Sequence, residues 1–153
     1  MKWSKKLIAL FAVVLLLLAC WGYDALRVRE FSVELVEATP SPAVADGQTP
    51  VTVTLRVTRG GEPCGGHVLL GKSMNGGSFK AKRVTTDGDG VARFTYYPYL
   101  KSRLNELTDV TLTFADESNS VLIAVPARLT CVLEMVEGNG GSGGQKTNDG
   151  MFG

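Results

Sequence analysis

Ala45-Asp46-Gly47 opens the stretch whose reading decides the fold. It runs on through Val51-Thr52-Val53-Thr54-Leu55-Arg56-Val57-Thr58, then Gly60-Gly61-Glu62-Pro63-Cys64-Gly65-Gly66 and His67-Val68-Leu69-Leu70. It closes on Val84-Thr85-Thr86-Asp87-Gly88-Asp89-Gly90-Val91-Ala92-Arg93-Phe94-Thr95-Tyr96. Val51, Val53, Leu55 and Val57 fall on one side of an extended chain, and Thr52, Thr54, Arg56 and Thr58 on the other. A period of two with one apolar face is a strand half-buried in an antiparallel sheet. Gly, Pro and Asp between such runs mark tight turns.

The same pattern extends outward in both directions. Phe31-Ser32-Val33-Glu34-Leu35 is the expected first strand, with Phe31, Val33 and Leu35 inward. Thr39-Pro40-Ser41-Pro42 then interrupts pairing, because proline donates no ladder hydrogen bond. Val68–Leu70 is a short third strand, expected inward at Val68 and Leu70, and Phe79 returns to the core after the glycines Gly76 and Gly77. A fourth strand covers 82–86. Val91–Tyr97 turns Ala92, Phe94 and Tyr96 inward, and Thr108–Ala115 does the same with Val110, Leu112 and Phe114. A long last strand, Val121–Val136, broken at Pro126, aligns Leu129, Cys131, Leu133 and Met135. The expected fold is all-β: an immunoglobulin-like antiparallel β-sandwich of about seven strands over residues 31–137.

Before the sandwich, Lys2, Lys5 and Lys6 precede an uncharged run from Leu7 to Tyr23. Basic residues ahead of an apolar segment read as an export signal with the lysines inside. Leu7–Ala19 has the length of a signal-peptide core, and Leu17-Leu18-Ala19-Cys20 resembles the lipobox of bacterial lipoproteins. That resemblance implies lipidation of Cys20. The alternative is an uncleaved signal anchor, since about 17 uncharged residues is the lower limit for spanning a bilayer. Trp3, Trp21 and Tyr23 then form an interfacial aromatic belt, and outright secretion is a third outcome. Residues 1–23 are thus a signal or anchor, and 24–30 a juxtamembrane spacer.

The chain of 153 residues holds one domain plus appendages. With 16 basic and 15 acidic side chains its net charge is +1, which argues against nucleic acid as a partner. From Gly138 the sequence is glycine-rich and polar, so residues 138–153 are expected to be a disordered tail. No LPxTG-type wall-attachment motif occurs, and the tether is expected at the N-terminus.

The sandwich segment resembles the bacterial Ig-like group Big-1, the repeat module of invasin and intimin-type adhesins. The matching positions are Ala45-Asp46-Gly47 with its following strand, Gly61-Glu62-Pro63 with Gly66 and Val68, Thr85-Thr86-Asp87, and Gly90-Val91-Ala92. Other prealbumin-like sandwiches share the middle elements, and Ala-Asp-Gly favours Big-1. The likeness covers Phe31 to Val136. It implies an extracellular, non-catalytic module. Those adhesins carry several repeats in series where this sequence shows one, and the connection Tyr97–Leu107 is longer than theirs.

Candidate sites are few. Cys64 and Cys131 either pair, closing a loop that would stabilise by about 4 kcal/mol, or stay as two buried thiols. Asp87-Gly88-Asp89-Gly90 faintly resembles a calcium loop but lacks its other oxygen ligands, and reads as a tight turn. His67, the single histidine, is expected on an exposed strand, without the convergent ligands of a triad or zinc site. No phosphate-cradling loop, G-x-S-x-G or Cys-x-x-Cys occurs, so neither an enzyme, a cofactor, a metal site nor a small-molecule substrate is expected. Lys80-Ala81-Lys82-Arg83 is a small basic cluster, read as a solvated strand face.

Tyr97, Tyr99 and Leu100 are the candidate partner contact, because surface tyrosines are common interface anchors. Leu100, Leu104 and Leu107 share helical spacing and alternatively plug one end of the sandwich. The expected function is therefore a membrane-tethered, extracytoplasmic binding or scaffolding module of the bacterial envelope, meeting an unknown protein partner. Alternatives are a structural subunit of a larger surface assembly and a wall-polymer or glycan-binding domain.

Overall fold

The computed structural model describes residues 5–101, 108–122 and 125–138. One helix, α1 (Lys5–Val28), precedes the sheets. Its Leu and Ala content favours helix, and Arg27 in the last turn suits the negative end of the dipole. The helix ends where the amides of Arg29 and Glu30 bond back to the carbonyls of Leu26 and Arg27. Residues 24–28, expected as spacer, are therefore its final turn.

The strands among the described residues are β1 (Phe31–Thr39), β2 (Ala43–Ala45), β3 (Val51–Arg59), β4 (Glu62–Pro63), β5 (Val68–Ser73), β6 (Ser78–Phe79), β7 (Arg83–Thr85), β8 (Val91–Tyr97), β9 (Asp109–Asp116) and β10 (Ala127–Glu137). One sheet runs β1-β3-β8-β6 with β4 beside β3, and the other runs β2-β10-β9-β5-β7. All pairings are antiparallel except the short parallel ladder of β2 on β10. The short strands β2, β4 and β6 raise the number above the expected seven. Two to three residues of pairing leave too brief a pattern to read from sequence.

Between the sheets Val51, Val53, Leu55, Val57, Phe94, Leu69, Val110, Leu112 and Phe114 are all fully buried. Burying one such side chain contributes about 1.5–3 kcal/mol. Phe79, Phe94 and Phe114 form an aromatic cluster with ring centroids 5.0 to 5.7 Å apart. Gly71 makes room for it. A Cβ there would lie 3.1 Å from Phe94, 3.2 Å from Phe114 and 3.3 Å from Phe79.

That glycine explains a correction. Leu69 and Gly71 face inward, not Val68 and Leu70, so the phase of β5 is shifted by one. Three consecutive apolar residues carry no alternation, and the space needed by the three rings decides which side faces in. Leu35 is also corrected: a register shift between Leu35 and Glu37 leaves it 38% exposed. The last strand starts at Ala127 rather than Val121. Buried Asn119 accepts the amide of Ala127 and donates to the carbonyl of Val125, holding the preceding residues as a loop.

Candidate functional site

The ladder registers separate two ends of the sandwich. β1 enters at Phe31 beside α1 and leaves at Thr39, opposite Thr52. Nine residues of strand span roughly 30 Å at about 3.3 Å each. One end therefore carries the helix, Arg59, His67 and Asp116; the other carries Tyr97, Tyr99, Leu100 and Asp46.

At the helix end, Asp24 is 1% exposed, and its carboxylate accepts the amides of Val121 at 3.2 Å and Leu122 at 2.7 Å. Val28 packs against the core. The amide of Gly60 bonds the carbonyl of Glu30, and Arg59 forms an ion pair with Glu30 at 2.8 Å while lying over the Phe31 ring. The helix is thus docked to the sandwich through its last turn. Cys20, the candidate lipidation residue, lies on α1 one turn before Asp24 and is partly exposed.

His67 is not the exposed strand residue expected. It lies before β5 with its ring against Phe31 at 5.3 Å, and its Nδ1 is 2.6 Å from Oδ2 of fully buried Asp116. The other Asp116 oxygen accepts the amide of Ser118, whose hydroxyl accepts the amide of Val68. Although His, Asp and Ser meet here, the Ser118 hydroxyl is committed to backbone. The arrangement clasps the start of β5 to the end of β9. Sequence gave no signal for it, since the partners are separated by 49 residues.

At the far end, Tyr97, Tyr99 and Leu100 do not share one environment. Tyr97 and Tyr99 are half-buried, and Leu100 is 65% exposed. The Tyr99 ring packs over Gly76, where a Cβ would come within 2.9 Å of it, and burial raises its phenol pKa above 10.0. Leu100 bridges Asp46 and lines a shallow cleft of about 470 Å³ with Val44, Gln48, Lys101 and Glu137. Asp46 folds the adjoining turn by accepting the amides of Gln48 and Thr49 together with the Thr49 hydroxyl. Leu104 and Leu107 lie outside the described residues.

The remaining candidates resolve into structure. Asp87 accepts the amides of Asp89 and Val91, and Gly90 takes a φ of +71°, so this segment is a tight turn. Among the described residues no group of three or more acidic, His or Cys side chains converges to hold a metal. Within the basic cluster, Arg83 pairs with Glu117 at 2.8 Å. Cys64 and Cys131 are separate free thiols, both partly buried against the core. Burial pushes both thiols above the ordinary 9.0, with the Asp116 charge adding to the effect at Cys64.

No family model and no curated protein matches the chain. Solved structures do. The sandwich is similar to the D00-D0 domain of intimin, at 17% identity and a TM-score of 0.50 over 67% of this chain and 46% of that one. It is similar also to a C-terminal 282-residue fragment of intimin in complex with the intimin-binding domain of the translocated intimin receptor. There the identity is 22% and the TM-score 0.50, over 68% of this chain and 33% of that one. A conjugative transposon lipoprotein from Bacteroides eggerthii matches at 16% identity and a TM-score of 0.46, over 68% of this chain and 96% of that one. The fold is an immunoglobulin-like β-sandwich. The chain spans less than half the length of either intimin fragment, and at these identities the likeness concerns fold alone.

This immunoglobulin-like sandwich therefore offers two ends of different chemistry. The helix end carries two buried carboxylates, Asp24 held by backbone amides and Asp116 by His67 and the Ser118 amide. The far end presents an exposed leucine beside half-buried tyrosines.

Proposed function

We propose that the chain is a membrane-tethered, extracytoplasmic Ig-like module of the bacterial envelope, related to the Big-1 group, that works by protein–protein contact. The observation that carries this reading is the exposure of α1. Phe11, Leu16 and Leu18 are 57%, 64% and 58% exposed, and nothing among the described residues of the sandwich covers them. A bare apolar helix of 24 residues near the N-terminus is long and apolar enough to enter a bilayer, as an anchor or as an export signal. Lys5 and Lys6 at its start orient it with the sandwich outside.

The mechanism is presentation. The anchor, by peptide or by a lipid on Cys20, fixes one end of the sandwich at the membrane. The opposite end then holds Tyr97, Tyr99 and Leu100 away from the bilayer, within reach of a protein partner. Support for protein contact comes from the intimin fragment of the same fold, which is seen bound to a protein domain. Intact mass measurement of the membrane-extracted protein tests the anchor. A mass beginning at Cys20 with acyl chains supports the lipoprotein form, and the full-length mass supports the peptide anchor. Recovery of an unacylated, shortened chain from the medium overturns the tether.

A further inference from the structure

Asp24 is the first charged residue after the apolar run, directly following Tyr23. A carboxylate at the edge of a bilayer is costly unless its oxygens are satisfied. Here it is 1% exposed and accepts two backbone amides, from Val121 and Leu122. This bond pair does more than satisfy the carboxylate. It draws a loop of the sandwich up the side of the helix, toward its apolar segment.

The helix rises about 1.5 Å per residue, so Asp24 lies roughly 6 Å above the helix end at Val28 and about 5 Å from Trp21. The loop held there exposes its side chains: Val121 is 58% and Leu122 55% exposed. Trp21, Tyr23 and Leu26 on the helix are 54%, 54% and 64% exposed. Apolar side chains from two parts of the chain thus occupy one level. Below them, Arg27, Tyr23, Glu30 and Arg59 line a cleft of about 420 Å³. The cleft sets the Arg27 guanidinium one turn beyond an aromatic belt, the level at which phosphate oxygens of a bilayer lie.

We propose that the helix end of the sandwich is a lipid-contacting surface. Val121 and Leu122 enter the interfacial layer beside Trp21, and Arg27 meets a phospholipid phosphate. The occupant is the bilayer that holds α1, so this inference rests on the tether proposed above. Its consequence is that the sandwich stands at a fixed height and tilt, braced by a second point of contact.

The test is photo-crosslinking in the full chain, reconstituted in vesicles of phosphatidylcholine and phosphatidylglycerol. Benzoylphenylalanine is placed singly at Leu122, at Trp21, and at Met74, which is 67% exposed and near the far end. Circular dichroism confirms that each variant is folded. Phospholipid adducts at Leu122 and Trp21 but not at Met74 are the expected result. An adduct at Trp21 alone overturns the inference and leaves the tether standing. Adducts at all three positions also overturn it, because contact would then be indiscriminate. Absence of an adduct at Trp21 overturns the tether itself. In a second arm, Arg27→Gln should lower the adduct yield at Leu122; an unchanged yield removes Arg27 from the surface.

Discussion

The carboxylate of Asp24 accepts the amide of Leu122 at 2.7 Å, joining the last turn of the helix to a loop 98 residues away in sequence. Through this bond and its companion to Val121, the helix and the sandwich meet at a fastened joint. Asp24→Ala removes the acceptor for both amides. We expect hydrogen exchange at Val121 and Leu122 to accelerate, with a loss of about 1–3 kcal/mol from the unpaired donors. Amides of β3 and β8 should keep their protection. Unchanged exchange at Val121 and Leu122 would show that the joint is held elsewhere.

Gly90 and Gly60 both take positive φ, at +71° and +57°. A Cβ at Gly90 would meet the carbonyl oxygen of Val57 at 2.5 Å and the amide of Cys64 at 2.8 Å, whereas Gly60 faces open space. Gly60→Ala should cost about 1 kcal/mol for backbone strain. Gly90→Ala must displace backbone of β3 at Val57 and of the segment at Cys64 as well, and should lower the denaturation midpoint clearly more. Equal midpoints for the two variants would be incompatible with this geometry.

Burial holds the Tyr96 phenol above the ordinary 10.0, against the lowering effect of Ser73, while its hydroxyl donates to the carbonyl of Gly76. Burial likewise holds the Cys131 thiol above 9.0. Where the folded pKa is raised, the unfolded chain loses its proton first. Stability is then complete below pH 9 and falls as pH rises through 9 to 10 and beyond. Chemical denaturation at stepped alkaline pH should show this decline, with Tyr96 ionising later in the folded than in the unfolded chain. Early titration of every tyrosine would contradict it.

The opposite sign applies to Asp46. The Thr49 hydroxyl, then the Thr49 and Gln48 amides, hold its carboxyl below 3.8. The turn is intact above that value and loosens as pH falls through the lowered one. A carbon-detected NMR titration should find the Asp46 midpoint under 3.8, with the Gln48 and Thr49 amide shifts following the same curve.

Leu100 and Tyr99 separate contact from folding. Leu100 is 65% exposed, so Leu100→Ala should change stability by no more than about 0.5 kcal/mol. Tyr99 covers Gly76 and packs on the core, so Tyr99→Ala should lower the melting temperature. If this end is the contact surface, Leu100→Ala weakens capture of the partner by cross-linking in intact membranes without altering the melt. Retained capture by Leu100→Ala and by Tyr97→Ala would move the contact elsewhere.

The alternating strands were readable because one face of each is buried and the other wet. β3, β8 and β9 follow their apolar pattern residue by residue. Where that contrast fails, so does the reading. Val68, Leu69 and Leu70 are all apolar, and the true phase depends on three rings converging on Gly71. Val121 and Leu122 read as strand until buried Asn119 is seen to hold the segment as a loop. His67 reads as exposed because nothing nearby in sequence hints at Asp116.

By itself, the order of residues determined the sandwich, its main strands, its turns at Asp46-Gly47 and Asp87-Gly90, and the apolar helix ahead of it. Those features follow from local hydrophobic period and from backbone freedom at glycine, which act within a few residues. Tertiary structure alone decided how the helix is fastened to the sandwich, which end carries Leu100, and where Asp24 and Asp116 find their partners. The physical reason is that a buried carboxylate must be satisfied by whatever donor the fold brings near, and that donor comes from anywhere in the chain.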